Sequence, residues 1–101
     1  MQIRAFQEKD RAAVLALWDA CGLTRPWNPP EGDLDRALEG ASSAILVAED
    51  NGGVTGSVMV GDDGHRGWVY YLSVQPDLQK AGLGQKLMTA AEDWLRDRGV
   101  R

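Results

Sequence analysis

The chain has 101 residues, with fifteen acidic and eleven basic side chains and a net charge of −4. This length predicts one small domain over residues 1–101. The acidic excess argues against a general nucleic-acid binder, because no basic stripe would neutralise phosphates.

The remaining bulk properties exclude several other classes. No apolar run approaches the roughly 20 residues of a membrane span, and the N-terminus lacks the apolar core of a signal peptide. Cys21 is the only cysteine, which excludes an internal disulfide, and with a single histidine it leaves no ligand cluster for a metal. We therefore expect a cytoplasmic protein without a membrane segment or a metal site.

The first half of the chain predicts a strand followed by two helices. Residues 3–6 alternate like a strand, and Asp10 is a plausible N-cap for a helix that ends at Gly22. The apolar side of that helix has helical spacing and comprises Val14, Leu17, Trp18 and Cys21. Three prolines exclude a regular helix over residues 23–30, and Asp33 is expected to cap a short second helix with Leu34, Ala37 and Leu38.

The second half predicts three strands and a long helix. Residues 44–49 are typical of a buried strand, and Asn51-Gly52-Gly53 of a hairpin turn into a partner strand over residues 54–60. Within that strand, Gly56 indicates a bulge or a close backbone approach. A third strand covers residues 68–74 and a helix residues 83–98, which completes an α/β order of β-α-α-β-β-β-α.

The most informative segment joins the last strand to the last helix. It reads Gln79-x-x-Gly82-x-Gly84, and a glycine-bearing loop before a helix N-terminus is suited to bind an anion. Taken alone, the two glycines also fit an ordinary turn into a helix. A P-loop lysine is absent, and the third glycine of a dinucleotide fingerprint would fall at Leu87.

This segment resembles the acyl-CoA signature of the GNAT (GCN5-related N-acetyltransferase) superfamily, Gln/Arg-x-x-Gly-x-Gly/Ala. Residues 25–30 and 63–67 are also similar to a small bacterial branch related to the ribosomal-protein alanine acetyltransferases. The resemblance implies a mixed, twisted sheet with helices on both faces. It further implies that an amine directly attacks the thioester of acetyl-CoA, the co-substrate.

The resemblance assigns site residues one by one. The loop and helix start would hold the coenzyme A pyrophosphate, and the preceding strand would offer main-chain groups to pantetheine and the thioester carbonyl. The expected cofactor-binding residues are Leu72, Ser73, Val74, Gln79, Lys80, Ala81, Gly82, Leu83 and Gly84. The expected acceptor-binding residues are Trp27, Asn28, Glu31 and Tyr71, of which Trp27 fits equally well as packing under its loop.

The chain departs from the family pattern after Gly99. The family's proton-transferring residues belong to elements beyond residue 101, so no catalytic residue is assigned, and His65 fits better as a loop histidine than as a base. We therefore expect the N-terminal two-thirds of a GNAT domain, C-terminally incomplete, with an apolar sheet edge that invites a homodimer. The predicted function is acetyl transfer to a primary amine of a small molecule or a protein N-terminus. The alternatives are a non-catalytic acyl-CoA-binding or interaction module and an inactive fragment.

Overall fold

The computed structural model describes residues 2–22, 30–40, 42–50, 53–62, 66–75 and 82–99. A short 3-10 turn (Glu8–Asp10) precedes the first helix. The other elements are β1 (Gln2–Ala5), α1 (Arg11–Ala20), α2 (Pro30–Glu39), β2 (Ser43–Asp50), β3 (Gly53–Asp62), β4 (Gly67–Val74) and α3 (Leu83–Asp97). The predicted order of strands and helices is thereby confirmed.

The four strands form one sheet in the order β1-β2-β3-β4, and every neighbouring pair is antiparallel. Asp50 lies opposite Gly53, as the predicted hairpin requires. The mixed sheet implied by the family resemblance needs a parallel strand, and the described residues supply none. Within the part of the chain that the structure describes, β4 therefore forms one edge of the sheet.

The two faces of the sheet have separate apolar cores. On one face α1 and α2 cover the first core, whose buried members are Val14, Trp18, Leu34, Ala37, Ile45, Val47 and Met59. On the other face α3 covers the second core, formed by Ala48, Val58, Val60, Val74, Leu83, Leu87 and Ala91. Val14 and Trp18, from the apolar side predicted for the first helix, therefore pack against the sheet.

Gly56 allows α3 to pack closely on β3. A Cβ atom at this position would lie 2.8 Å from Cδ1 of Leu87 and 3.0 Å from the carbonyl oxygen of Ser73. The pairing of β2 with β3 also shifts here, since Ala48 lies opposite Gly56 but Glu49 lies opposite Val54. The predicted bulge or close approach is confirmed in both senses.

The start of α2 differs from the sequence prediction. The helix begins at Pro30, so Asp33 lies inside its first turn and is not its cap. Proline is favoured at the first helical position, where its missing N–H would have no helical partner and its ring presets φ. The third proline of residues 23–30 thus begins a helix, contrary to our prediction.

Asp10 precedes α1 as predicted, but its carboxylate does not cap that helix. Its Oδ2 accepts from the backbone N–H of Gln7 at 2.8 Å, and both oxygens accept from the Arg4 guanidinium at 2.8 and 3.0 Å. Arg4 also donates from Nε to Oε1 of Glu49 at 2.7 Å. Arg4, Asp10 and Glu49, which we call the N-terminal junction, tie β1, the 3-10 turn and β2 together.

Charge pairing sets the ionisation of Asp10 within this junction. The hydrogen bonds from Arg4 lower the pKa of the Asp10 carboxyl, and the N–H of Gln7 acts in the same direction. Burial opposes this effect without cancelling it. The hydrogen bonds to Asp10 and Glu49 correspondingly raise the pKa of Arg4. The junction therefore contributes most to stability when the Asp10 carboxyl is ionised.

Candidate functional site

β4 contains a bulge at the middle of its pairing with β3. Ser57 lies opposite Ser73, but Met59 lies opposite Tyr70, so β4 has one more residue than β3 over this stretch. Tyr71 takes up the extra length with φ = 55°, and no other non-glycine residue of the described ranges has a positive φ. Such a conformation costs roughly 1–3 kcal/mol and persists only where the surroundings impose it.

The bulge changes the placement of two neighbouring tyrosines. A regular strand would place Tyr70 and Tyr71 on opposite faces, because side chains alternate along it. The Tyr71 ring instead stacks on Trp18 of the first core, with centroids 4.1 Å apart. Tyr70 is 61% exposed and contacts Trp68, which packs against the same core. The left-handed residue interrupts the alternation.

Neutral hydrogen bonds connect Trp18 to the bulge. The Trp18 Nε1–H donates to Oγ of Ser57 at 3.1 Å, and that oxygen lies 2.8 Å from Oγ of Ser73. Oγ of Ser73 in turn donates to the carbonyl of Tyr71 at 3.3 Å. All three side chains are buried, with Trp18 and Ser57 at 0% exposure. We call Trp18, Ser57 and Ser73 the hydroxyl network.

The end of β4 directs peptide groups away from β3. The N–H of Gln75 donates to the carbonyl of Thr55 at 2.9 Å. Because paired and unpaired positions alternate between antiparallel strands, the peptide groups of the preceding Val74 face outward. The Cys21 thiol donates to the Val74 carbonyl at 3.2 Å, which agrees with that orientation.

α3 begins beside this strand end. Its N-cap, Gly82, has φ = 81° and provides no side-chain cap, and the helical ladder starts where Lys86 N–H donates to the Gly82 carbonyl at 3.3 Å. A Cβ atom on Gly84 would lie 3.9 Å from Cγ2 of Val74, while Leu83 is buried in the second core. The end of β4 and the first turn of α3 are therefore neighbours.

The structure thus brings together part of the predicted site. Ser73, Val74, Gly82, Leu83 and Gly84 lie at this junction of β4 and α3, and Leu72 precedes them on the strand. Some predicted residues lie outside the described residues, namely Gln79, Lys80, Ala81, Trp27 and Asn28, as does His65. Glu31 belongs to α2, but its side chain is likewise not described.

Sequence reasoning missed the role of Ser57. The residue is a fully buried hydroxyl inside β3, in a run read only as an apolar partner strand. The available signal was a polar residue at a position whose neighbours predicted a core strand, since buried hydroxyls need hydrogen-bond partners. Its two partners, Trp18 and Ser73, could not be named from the sequence.

A sequence profile of the acetyltransferase (GNAT) family matches residues 11–101 of the chain. The chain belongs to the GNAT acetyltransferase family. An acetyltransferase of Pectobacterium atrosepticum is 48% identical over 99 residues, a match that covers 98% of this chain and 70% of that relative. An acetyltransferase of Yersinia enterocolitica matches to the same extent. The chain thus spans about 70% of the length of these curated GNAT relatives.

Solved structures show the same fold at low identity. The ribosomal-protein-S18-alanine N-acetyltransferase of Escherichia coli superposes with a TM-score of 0.79 at 20% identity, over 98% of this chain and 61% of that protein. An aminoglycoside 6′-N-acetyltransferase solved with coenzyme A superposes with a TM-score of 0.78 at 18% identity, over 99% and 58% of the two chains. The predicted GNAT-like fold is confirmed.

Family membership also confirms the predicted enzyme class, an acetyltransferase, and acetyl-CoA as the co-substrate of that class. None of the helices in the described ranges combines the length and apolar character needed to cross a membrane. Across the same residues, no three His, Cys, Asp or Glu side chains are grouped in a way that could hold a metal ion.

Proposed function

We propose that this chain binds acetyl-CoA along the end of β4 and the N-terminus of α3, and that it transfers the acetyl group to a primary amine. The observation that supports this proposal best is the contact between the two elements, where Gly84 lies beside Val74. Peptide groups of one strand and of one helix start then face the same ligand. The resemblance assigns these two positions to pantetheine and pyrophosphate respectively.

The start of α3 fits a pyrophosphate on three counts. Gly82 has no side chain that could cap the helix, so the first-turn N–H groups are not occupied by a cap. The first turn has no acidic residue, and the helix dipole adds partial positive charge there. A Cβ atom on Gly82 would meet no atom of the described residues within 4 Å, so none of them occupies this position.

The proposed chemistry is a direct transfer. The amine nitrogen attacks the thioester carbon, the new C–N bond forms, and the C–S bond breaks to release coenzyme A as the thiolate. The ammonium must first lose a proton to become the attacking amine. Its nitrogen loses a second proton once the C–N bond has formed, and the departing thiolate gains one. The outward peptide groups of Val74, with Leu72 and Ser73 beside them on β4, would orient the thioester and polarise its carbonyl. We assign neither the base nor the acid to residues of this chain.

The acceptor in this proposal is a small-molecule amine or a protein N-terminus. Trp27, Asn28, Glu31 and Tyr71 remain the proposed acceptor-binding residues. Of these only the Tyr71 side chain is described, and it is half-buried with its ring against Trp18. Its main contribution on this geometry is to shape β4, and any contact with the acceptor would involve the part of the ring that Trp18 leaves uncovered.

Calorimetric titration with acetyl-CoA tests the cofactor site through matched changes at Gly82. We expect Gly82→Asp to weaken binding by about 100-fold or more, because a carboxylate would repel the pyrophosphate. Gly82→Asn has the same shape without the charge, and both residues tolerate a positive φ. It should therefore weaken binding by at most about tenfold.

Gly99→Asn controls for the cost of asparagine at a left-handed glycine, since Gly99 has the same φ of 81° and open surroundings at the far end of α3. It should bind as the wild type does. Equal affinities of the Asp and Asn variants at position 82 would overturn the assignment of this helix start. Wild-type binding without turnover on any amine would favour a non-catalytic acyl-CoA-binding module.

The proposal also covers the cellular location and the oligomeric state of the protein. The bacterial relatives support a bacterial enzyme, and we propose that it acts in the cytoplasm. β4 forms an edge of the described sheet and contains exposed Tyr70 and Leu72, which supports pairing with a second copy. We expect light scattering to show a dimer at high concentration, and a monomer throughout would contradict that part of the proposal.

A further inference from the structure

We propose that Trp18, Ser57 and Ser73 are positioning residues for the thioester half of acetyl-CoA, acting through the bulge at Tyr71. This inference rests on the proposed function, because it concerns how β4 is shaped for that ligand. None of the three side chains needs to touch the ligand. Their effect is to hold one strained peptide unit in place.

The hydrogen bonds join Trp18 to the left-handed residue through two serines. An indole N–H can only donate, so the Ser57 oxygen accepts from Trp18. Oγ of Ser57 shares a hydrogen bond with Oγ of Ser73 at 2.8 Å, in which either hydroxyl can donate. When Ser57 donates in that bond, the Ser73 hydroxyl can donate to the Tyr71 carbonyl at 3.3 Å, which is closer than the Ser57 carbonyl at 3.5 Å.

Trp18 also holds Tyr71 from its side chain. The two rings stack with centroids 4.1 Å apart and an interplanar angle of 19°. One buried tryptophan therefore constrains both ends of the same residue, the ring by stacking and the carbonyl through two serines. A tyrosine with a positive φ persists only where contacts impose it, and these are such contacts.

The residues after the bulge are those assigned to the ligand. Leu72, Ser73 and Val74 follow Tyr71 directly, so a change of its φ and ψ would rotate their peptide groups. The first turn of α3 packs on Val74 and Gly56 from the opposite face. Loss of the network should therefore disturb the thioester end of the ligand and spare the pyrophosphate end.

The test compares two ligands by calorimetry, acetyl-CoA and adenosine 3′-phosphate 5′-diphosphate, the anionic half of coenzyme A without pantetheine. We expect Ser57→Ala and Ser73→Ala to weaken acetyl-CoA binding by about fivefold to tenfold. Binding of the nucleotide should change by less than about twofold. Trp18→Phe, which keeps a ring against Tyr71 but removes the donor, should behave in the same way.

Two controls separate positioning from a general loss of stability. Ser43→Ala removes a comparable hydroxyl on β2, which donates to the Ala37 carbonyl at 2.8 Å. This change should leave the affinities for acetyl-CoA and for the nucleotide unchanged. The double variant Ser57→Ala/Ser73→Ala should bind acetyl-CoA about as well as the weaker single variant, because both changes interrupt one series of bonds. Additive losses would contradict a single network.

The outcomes separate this inference from the proposed function. A wild-type chain that binds neither probe overturns both. Wild-type binding with unchanged acetyl-CoA affinity in Ser57→Ala overturns the positioning role alone, as does an equal loss for both ligands. If all three single variants fail to fold by circular dichroism, the network serves the fold and not the ligand, which also overturns the inference.

Discussion

Two junctions of this molecule solve the same problem with opposite chemistry. The N-terminal junction joins β1, the 3-10 turn and β2 through the charges of Arg4, Asp10 and Glu49. The junction of β4 with α3 uses two serine hydroxyls, an indole N–H and peptide groups. Both hold a chain segment in an irregular conformation, but only the first does so with ions.

The two junctions differ in the charge that they leave uncompensated. The guanidinium of Arg4 is paired with two carboxylates, so no unpaired positive charge remains there to attract an anion. Residues 71–75 and 82–85, the described residues at this junction, contain no acidic side chain, so none of them neutralises the positive end of α3. Neutral hydrogen bonds can shape a site for an anion without competing with it for charge.

The strongest way to break the β4 side of this comparison is Trp18→Ala. We expect the free energy of unfolding to fall by about 3–5 kcal/mol, because a fully buried indole is lost together with the stack on Tyr71 and the bond to Ser57. Urea denaturation followed by circular dichroism measures the change.

Trp94→Ala is the matched control for that variant. Trp94 lies on α3, is only half-buried and is covered by the guanidinium of Arg98 at 4.6 Å. Its loss should lower the free energy of unfolding by about 1–2 kcal/mol. If Trp18→Ala lowers the free energy of unfolding no more than Trp94→Ala does, the packing and hydrogen bonding assigned to Trp18 are contradicted.

The charged junction should respond to Asp10→Asn by a smaller amount. We expect the free energy of unfolding at pH 7 to fall by about 2–3 kcal/mol, since the change removes one of the two carboxylates that pair with Arg4. Asp93→Asn removes a carboxylate from an exposed pair with Arg96 and should cost less than about 0.5 kcal/mol.

The pH dependence sharpens this last comparison. The pKa of Asp10 is lowered in the folded chain, so its stabilisation is complete above the ordinary value of 3.8 and is lost as the pH falls below it through the folded pKa. The stability difference between wild type and Asp10→Asn should therefore shrink on acidification. Any difference in the free energy of unfolding between wild type and Ser57→Ala involves no titrating group and should not change with pH. A difference for Asp10→Asn that is the same at pH 7 and pH 3 would contradict the assigned pairing.

How far the sequence could predict the fold depends on the range of each interaction. The helix with Leu83, Leu87 and Ala91 and the strand before it were predicted because apolar periodicity is local. The start of α2 was placed at Asp33, since the prolines were read only as breakers and Pro30 proved to be the first helical residue. Local rules conflicted there, because proline disrupts a helix interior but is favoured at the first helical position.

The residues of the candidate site also differ in whether the local sequence could predict them. Gly82 and Gly84 were predicted because a glycine motif between a strand and a helix has a direct physical meaning for anion binding. The left-handed Tyr71 could not have been predicted, because nothing in its own side chain favours that conformation. It follows from the pairing of β4 with β3 and from contact with a tryptophan of α1.

By itself, the sequence determined the order of strands and helices and, through resemblance to a known signature, the family. The order follows from periodicity and from residue types at short spacing. Only the tertiary structure decided the bulge, the hydroxyl network and the charged junction. The bond from Trp18 to Ser57 spans 39 residues and that from Arg4 to Glu49 spans 45. Such partners are chosen by the sheet register and helix packing, which no local pattern specifies.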